Sequence, residues 1–259
     1  MLFQDRTRAE SFGADAERYD RARPTYPAEM VDEVLAGFDT GAVTTVVDVG
    51  CGTGIAGRLF TDRGCQVLGV EPDERMAARA RVHGLTVEVA AFETWQPVGR
   101  TFDLLISGQS WHWVHPETGA LRAAEVLRPG GRIALFWNIG RPSDEVADAF
   151  EAVYRRRTEG LDEYSVLLGG GDKERFHQAG EGIRASRRFS DPDHRSFDWT
   201  RPYSRDEWLD QLPTHSDHQA LPPDQLGELM DELGDVIESF GGTFTMGYLT
   251  ALITAERVE

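Results

Sequence analysis

The stretch that decides the fold reads Val46-Val47-Asp48-Val49-Gly50-Cys51-Gly52-Thr53-Gly54. Its first half is apolar and β-branched, which favours a buried strand, and its second half has a glycine at every other position. Glycine turns at positive φ without steric cost and lets the backbone approach a ligand closely. The free amides at the start of a following helix would point at that ligand. The stretch therefore predicts a strand, a glycine loop and a helix that form a nucleotide-type pocket.

Strands and helices alternate on both sides of this loop. Buried strands are predicted at residues 45–49, 67–71, 85–90, 102–107 and 132–137, with helices at 55–62, 74–82 and 117–126. Such alternation is typical of a doubly wound parallel α/β sheet. Two later strands, near residues 195–201 and 243–255, are separated by helices and can pair antiparallel at a sheet edge.

The spacing of the glycines distinguishes two kinds of pocket. A dinucleotide site has the pattern G-x-G-x-x-G, but the third glycine of that pattern is replaced here by Ile55. No Gly-Lys-Ser/Thr follows, so the loop does not match a Walker site. Asp48 would repel a pyrophosphate but tolerates an ammonium group, and a second acid, Glu71, ends the next apolar run. The pattern therefore favours an S-adenosylmethionine pocket over a dinucleotide pocket.

Several parts of the chain resemble class I S-adenosylmethionine-dependent methyltransferases. Residues 46–54 match the first motif of that family, Glu71 its ribose-binding acid, and Leu127-Arg128-Pro129-Gly130-Gly131 the turn before its fifth strand. Residues 19–27 and Trp111-His112-Trp113 are similar to the methyltransferase type 11, trans-aconitate-methyltransferase-like subgroup, which acts on small molecules. The resemblance runs from about residue 10 to the C-terminus.

The resemblance implies cofactor roles for the loop and its acids. Gly50, Gly52 and Gly54 would hold the methionine part of S-adenosylmethionine along the backbone. Asp48 would orient the loop and the amino group of the cofactor, directly or through water. Glu71 would bind both ribose hydroxyls.

Other positions would surround the adenine. Pro72 and Met76 would lie beside the ring. Ala91 stands where the family usually has an aspartate, so the backbone of Phe92 or the side chain of Glu93 would bind the adenine amino group instead.

The remaining implied cofactor contacts come from the N-terminus and the fourth strand. Ser107 and Gln109 would flank the methionine and the reacting methyl group, while Tyr19 and Arg23 would close over the cofactor carboxylate. His112 is the catalytic candidate, because a histidine at the carboxyl end of a strand can act as a base or donate a hydrogen bond to the acceptor. A packing role for His112 is the alternative.

The resemblance also implies one methyltransferase domain over residues 1–259, with a Rossmann-like, mostly parallel seven-stranded sheet whose last strand is antiparallel. Residues 1–40 would form an N-terminal helical cap, 41–138 the cofactor-binding core, 139–215 a helical insertion or lid with strand six, and 216–259 the last helix and strand seven. The glycine run at residues 169–171 predicts a mobile lid edge.

Composition limits the partners. The chain has 259 residues, 40% of them hydrophobic, and a formal net charge of −17. This acidity disfavours nucleic acid, which needs a basic face, and no apolar run is long enough to cross a membrane. Cys51 and Cys65 form neither a disulfide framework nor a zinc spacing, so we predict a cytoplasmic location and no metal. We also expect a monomer or a homodimer.

The expected activity is methyl transfer from S-adenosylmethionine to a small molecule, with a carboxylate or hydroxyl acceptor in secondary metabolism as one form of it. Two alternatives stay open. One is a non-catalytic S-adenosylmethionine-binding protein, and the other is an NAD-dependent oxidoreductase on a similar fold.

Overall fold

A seven-stranded sheet forms the centre of the computed structural model, which describes residues 11–38, 41–157 and 172–258. The strand order is β3-β2-β1-β4-β5-β7-β6, and the five strands from β3 to β5 in this order are parallel to one another. β7 pairs antiparallel with both β5 and β6. The strands are β1 (Thr45–Val49), β2 (Gln66–Glu71), β3 (Thr86–Val89), β4 (Phe102–Gly108), β5 (Leu127–Pro142), β6 (Asp193–Ser204) and β7 (Thr243–Glu256). The predicted sheet, including its antiparallel last strand, is confirmed.

Helices cover both faces of the sheet and one end of it. In chain order they are α1 (Ala16–Ala22), α2 (Ala28–Leu35), α3 (Ile55–Thr61), α4 (Glu74–Val82), α5 (Pro116–Val126), α6 (Asp144–Arg157), α7 (Asp172–Ser186), α8 (Arg205–Gln211), α9 (Ser216–Gln219) and α10 (Pro223–Ser239). Short 3-10 turns lie at Ser11–Asp15, Trp111–Trp113 and Leu212–Thr214. The predicted mobile edge at residues 169–171 lies outside the described residues.

Three hydrophobic cores follow from this layout. One sheet face packs on α5 and α7, and the other packs on α2, α3 and α4. A third core, which we call the lid core, joins α6, α8 and α10 to the first part of β7. Burial of these apolar faces is the main favourable term in folding.

The strands of the lid side are longer than their apolar runs predict. The apolar run of β5 ends at Trp137, but its pairing with β7 continues to Pro142, opposite Met246. β6 likewise continues to Ser204 along β7. The strands therefore extend beyond the parallel part of the sheet, and the extension contributes residues to the lid core and to one wall of a large cavity.

Candidate functional site

The glycine loop joins β1 to α3 through three residues with left-handed backbone. The φ angles of Gly50, Gly52 and Gly54 are +63°, +55° and +86°. A Cβ on Gly50 would lie 2.6 Å from the Cβ of Ser110, so a side chain there would also clash. Gly54 is the N-cap of α3, whose first amides face the loop. Each predicted loop glycine is thus required by its backbone conformation.

Glu71 ties this loop to the end of β2. One oxygen of its carboxylate accepts a hydrogen bond from the amide of Gly52 at 2.9 Å, and the other accepts one from the amide of Asp73 at 3.0 Å. The residue is 7% exposed. Burial raises the pKa of Glu71 to about 7, although the two amides favour the charged form. Each oxygen keeps a further lone pair, so the carboxylate can accept two more hydrogen bonds from a ligand.

Asp48 and Ser107 lie one layer behind the loop. Asp48 is fully buried, and neither of its oxygens has a partner at hydrogen-bond geometry among the described residues. Burial, and then repulsion from Glu71, raise the pKa of Asp48 to about 7, although the amide of Gly57 favours the charged form. Ser107 is also fully buried and donates its hydroxyl to the carbonyl of Val49 at 3.1 Å.

A large cavity starts at the glycine loop, crosses the carboxyl ends of the parallel strands and reaches the lid core. Ligands of open α/β sheets bind at this edge. The structure brings most of the predicted site residues into its wall, namely Tyr19, Arg23, Gly50, Gly52, Glu71, Pro72, Met76, Phe92, Glu93, Gln109 and His112. It leaves Asp48, Gly54 and Ser107 outside this wall, and Asp48 lines a smaller neighbouring cavity instead.

The N-terminal segment covers the cofactor side of the cavity. Gly13 packs so closely on Asp73 that a Cβ would lie 2.0 Å from a carboxylate oxygen. Arg23 donates to the carbonyl of Thr214 at 2.7 Å and lies over the Tyr19 ring at 5.0 Å from its centroid. Its Nε is buried without a partner, and no carboxylate pairs with Arg23 in the described part of the chain. Arg23 can therefore hold an anionic group at the cavity edge.

His112 stands on the short turn after β4 and faces the same cavity. The indole N–H of Trp137 donates to its Nδ1 at 3.3 Å. Because indole nitrogen is only a donor, Nδ1 must be unprotonated, and a neutral His112 then carries its proton on Nε2. Of the two roles left open by the sequence, this geometry favours hydrogen-bond donation over proton abstraction.

Other cavity residues were not predicted from the sequence. They are polar or aromatic and come from distant elements: Phe12, Ser110, Asn138, Gln211, His215, Asp217 and Tyr248. Asn138 follows the apolar run of β5, so the strand-end rule used for His112 could have found it. The run His215-Ser216-Asp217-His218, with three titratable groups in four residues, was a second available signal.

Known proteins share both the sequence motif and the fold. Residues 47–135 match the model of a family described as a methyltransferase domain. An uncharacterized methyltransferase of Mycobacterium tuberculosis is 35% identical over 156 residues, which are 53% of this chain and 62% of that protein. A trans-aconitate 2-methyltransferase of Mycolicibacterium gilvum is 35% identical over 119 residues, 44% of each chain. The matched region thus spans less than two thirds of these relatives.

Solved structures superpose over most of the chain. A protein provisionally named a type II methyltransferase, from Anaeromyxobacter dehalogenans, has a TM-score of 0.62 at 22% identity, over 91% of this chain and 98% of that one. A Haemonchus contortus phosphoethanolamine N-methyltransferase 2, solved with S-adenosyl-L-methionine, has a TM-score of 0.56 at 15% identity. The superposition covers 99% of this chain and 59% of that one. At these identities the likeness shows the fold.

Proposed function

We propose that this protein transfers a methyl group from S-adenosylmethionine to a small-molecule acceptor, because residues 47–135 match a methyltransferase domain and the fold is shared with a solved structure named a methyltransferase. One observation carries the proposal. The carboxylate of Glu71 binds the glycine loop through Gly52 and, at the same time, lines the cavity that reaches His112. A single cavity can therefore hold the cofactor and the acceptor side by side.

The donor set fits S-adenosylmethionine group by group. Glu71 supplies acceptors for the ribose hydroxyls, and the apolar side chains of Pro72 and Met76 supply a wall for the adenine. Arg23 supplies a positive charge for the carboxylate. The glycine loop supplies a surface without side chains, along which the methionine part can lie. Ala91 has no polar side chain to bind the adenine amino group. Glu93, two residues further on, lines the cavity and is the nearest polar side chain in sequence that could bind it.

When bound, S-adenosylmethionine supplies a sulfonium methyl group that carries its own leaving group. The residues of this chain then have to bind and orient the two reactants and exclude water. His112 donates a hydrogen bond from Nε2 and so orients the acceptor. A carboxylate acceptor needs no base, whereas a hydroxyl acceptor passes its proton to solvent or to a neighbouring group.

An NAD-dependent oxidoreductase fits the site less well. Asp48, behind the loop, would repel the pyrophosphate of a dinucleotide, and Ile55 takes the place of its third glycine. The proposal includes a cytoplasmic location, supported by the two cysteines, which are both free and buried. Within the described residues, no helix is long and apolar enough to span a membrane.

A turnover assay tests the proposal. The protein is incubated with S-adenosylmethionine labelled in its methyl group and with panels of small carboxylates, alcohols and amines, and S-adenosylhomocysteine is measured over time. We expect acceptor-dependent product formation. Tight cofactor binding without turnover on any panel would favour the non-catalytic alternative.

A further inference from the structure

The lid side of the cavity contains a buried carboxylate that the cofactor does not use. Asp217 of α9 is 8% exposed and lines the cavity wall. One of its oxygens accepts hydrogen bonds from the backbone amide and from Nδ1 of His218, both at 2.9 Å. Its second oxygen has no hydrogen-bond partner among the described residues. The carboxylate thus keeps a full oxygen for a ligand.

A second buried residue fixes this arrangement. Nε2 of His218 lies 2.7 Å from the hydroxyl of Tyr154, and both side chains are almost fully buried. Burial alone would raise the pKa of Asp217, but the hydrogen bond and charge of His218 outweigh it and hold the pKa well below its ordinary value. Asp217 is therefore ionised before any ligand binds, and its direction is set by Tyr154 and His218.

The same cavity also has aromatic side chains from the lid core in its wall. Trp208 is buried in the lid core and lines the cavity, as does Tyr248, whose ring stacks on Trp199 at 4.6 Å between centroids. Aromatic faces attract cations, and more strongly where water is excluded. A cavity wall that contains both an ionised carboxylate and aromatic rings can recognise an ammonium group.

The nearest cation, His218, pairs with one oxygen of Asp217 and leaves the second oxygen for a ligand. His215 lies beside Asp217 in sequence, but burial, and then the charge of Arg23, hold the pKa of His215 well below its ordinary value, so it is neutral. Arg23 donates to the carbonyl of Thr214, and no ion pair joins it to Asp217 among the described residues. Arg175 and Glu93 also line the cavity, and their side chains are of opposite charge.

We propose that Asp217 binds a protonated amine of the methyl acceptor, and that the acceptor is an amine-bearing small molecule with an apolar or aromatic body. This inference rests on the proposed function, because it assigns the acceptor part of the same cavity. Asp217 selects the acceptor and anchors it at a point away from the reacting methyl group. A carboxylate at the same position would meet an ionised like charge and be rejected.

Three probes with one hydrocarbon body test the inference: 2-phenylethylamine, 2-phenylethanol and 3-phenylpropanoate. Each is titrated by calorimetry into protein saturated with S-adenosylhomocysteine. We expect the amine to bind about tenfold or more tightly than the alcohol, and the carboxylate to bind most weakly. Asp217→Asn should remove the preference for the amine, while the alcohol keeps its affinity. Asp235→Asn, an exposed change on α10, should leave the ranking as it is.

A titration of the protein with S-adenosylhomocysteine, made before any probe is added, separates the two proposals. Failure to bind S-adenosylhomocysteine overturns the proposed function. If S-adenosylhomocysteine binds normally, three results would overturn the inference and leave the proposed function standing. These are an amine that does not bind most tightly, no binding of any of the three probes, and an Asp217→Asn variant that keeps the preference for the amine. If Asp217→Asn does not fold, the ranking in the unmodified protein decides.

Discussion

Buried carboxylates lie at both ends of the cavity, but their pKa values are shifted in opposite directions. At the cofactor end, burial raises the pKa values of Glu71 and Asp48 to about 7. At the acceptor end, the bond to His218 overrides burial and keeps Asp217 ionised. Glu71 is therefore partly protonated near neutral pH, whereas Asp217 is ionised.

Removing the cofactor-end carboxylate should have the largest effect. Glu71→Ala deletes the carboxylate that accepts from the amides of Gly52 and Asp73 and, in the proposed site, from the two ribose hydroxyls. We expect a loss of about 2–4 kcal/mol in the binding free energy of S-adenosylhomocysteine, measured by calorimetry. An unchanged dissociation constant would refute the ribose assignment.

Glu71→Gln sharpens the same test. Only the ionised form of Glu71 can accept hydrogen bonds at both oxygens, so binding to the unmodified protein should tighten from pH 6 to pH 8. The glutamine variant should show a weaker dependence on pH. Glu29→Gln, an exposed change on α2, is the matched control and should behave like the unmodified protein.

Asp48→Asn tests how ionisation of the second buried acid lowers the unfolding free energy of the ligand-free protein. Its folded pKa of about 7 lies above the ordinary value of 3.8, so between these values the native state holds more protons and stability falls as pH rises. Relative to the unmodified protein, the variant should gain on the order of 2 kcal/mol in unfolding free energy between pH 5 and pH 8. Urea unfolding at both pH values measures this. Parallel curves for the two proteins would contradict the prediction, and Asp235→Asn should give such a parallel curve.

His112→Ala should have the smallest effect, and one confined to turnover. In its proposed role His112 donates a hydrogen bond that orients the acceptor, so kcat should fall about tenfold while cofactor affinity stays the same. Steady-state kinetics with an acceptor found by the turnover assay give both values. His194→Ala, at an exposed position, is the control. Unchanged turnover would make His112 a packing residue.

The cofactor end could be predicted because its chemistry is local in the sequence. The loop glycines and Glu71 lie within 46–71, on two adjacent strands whose spacing alone brings them together. Burial was harder to foresee. The sequence gives no sign that Asp48 and Ser107 lie behind the loop, because that depends on the packing of α3 and of the turn after β4.

The acceptor end could not be predicted because its contacts join distant parts of the chain. Tyr154 and His218 are 64 residues apart and meet only through the lid core. Asp217 reaches the cavity on α9, a four-residue helix too short to show a periodic pattern. The extensions of β5 and β6, which support this wall, come from pairing with β7 rather than from their own apolar runs.

In the proposed function the cavity at the glycine loop takes S-adenosylmethionine and no dinucleotide. Calorimetric titration of the protein with S-adenosylhomocysteine and, separately, with NADH distinguishes the two kinds of ligand. We predict saturable one-to-one binding of S-adenosylhomocysteine and no measurable binding of NADH. Tight binding of NADH without binding of S-adenosylhomocysteine would contradict the proposal.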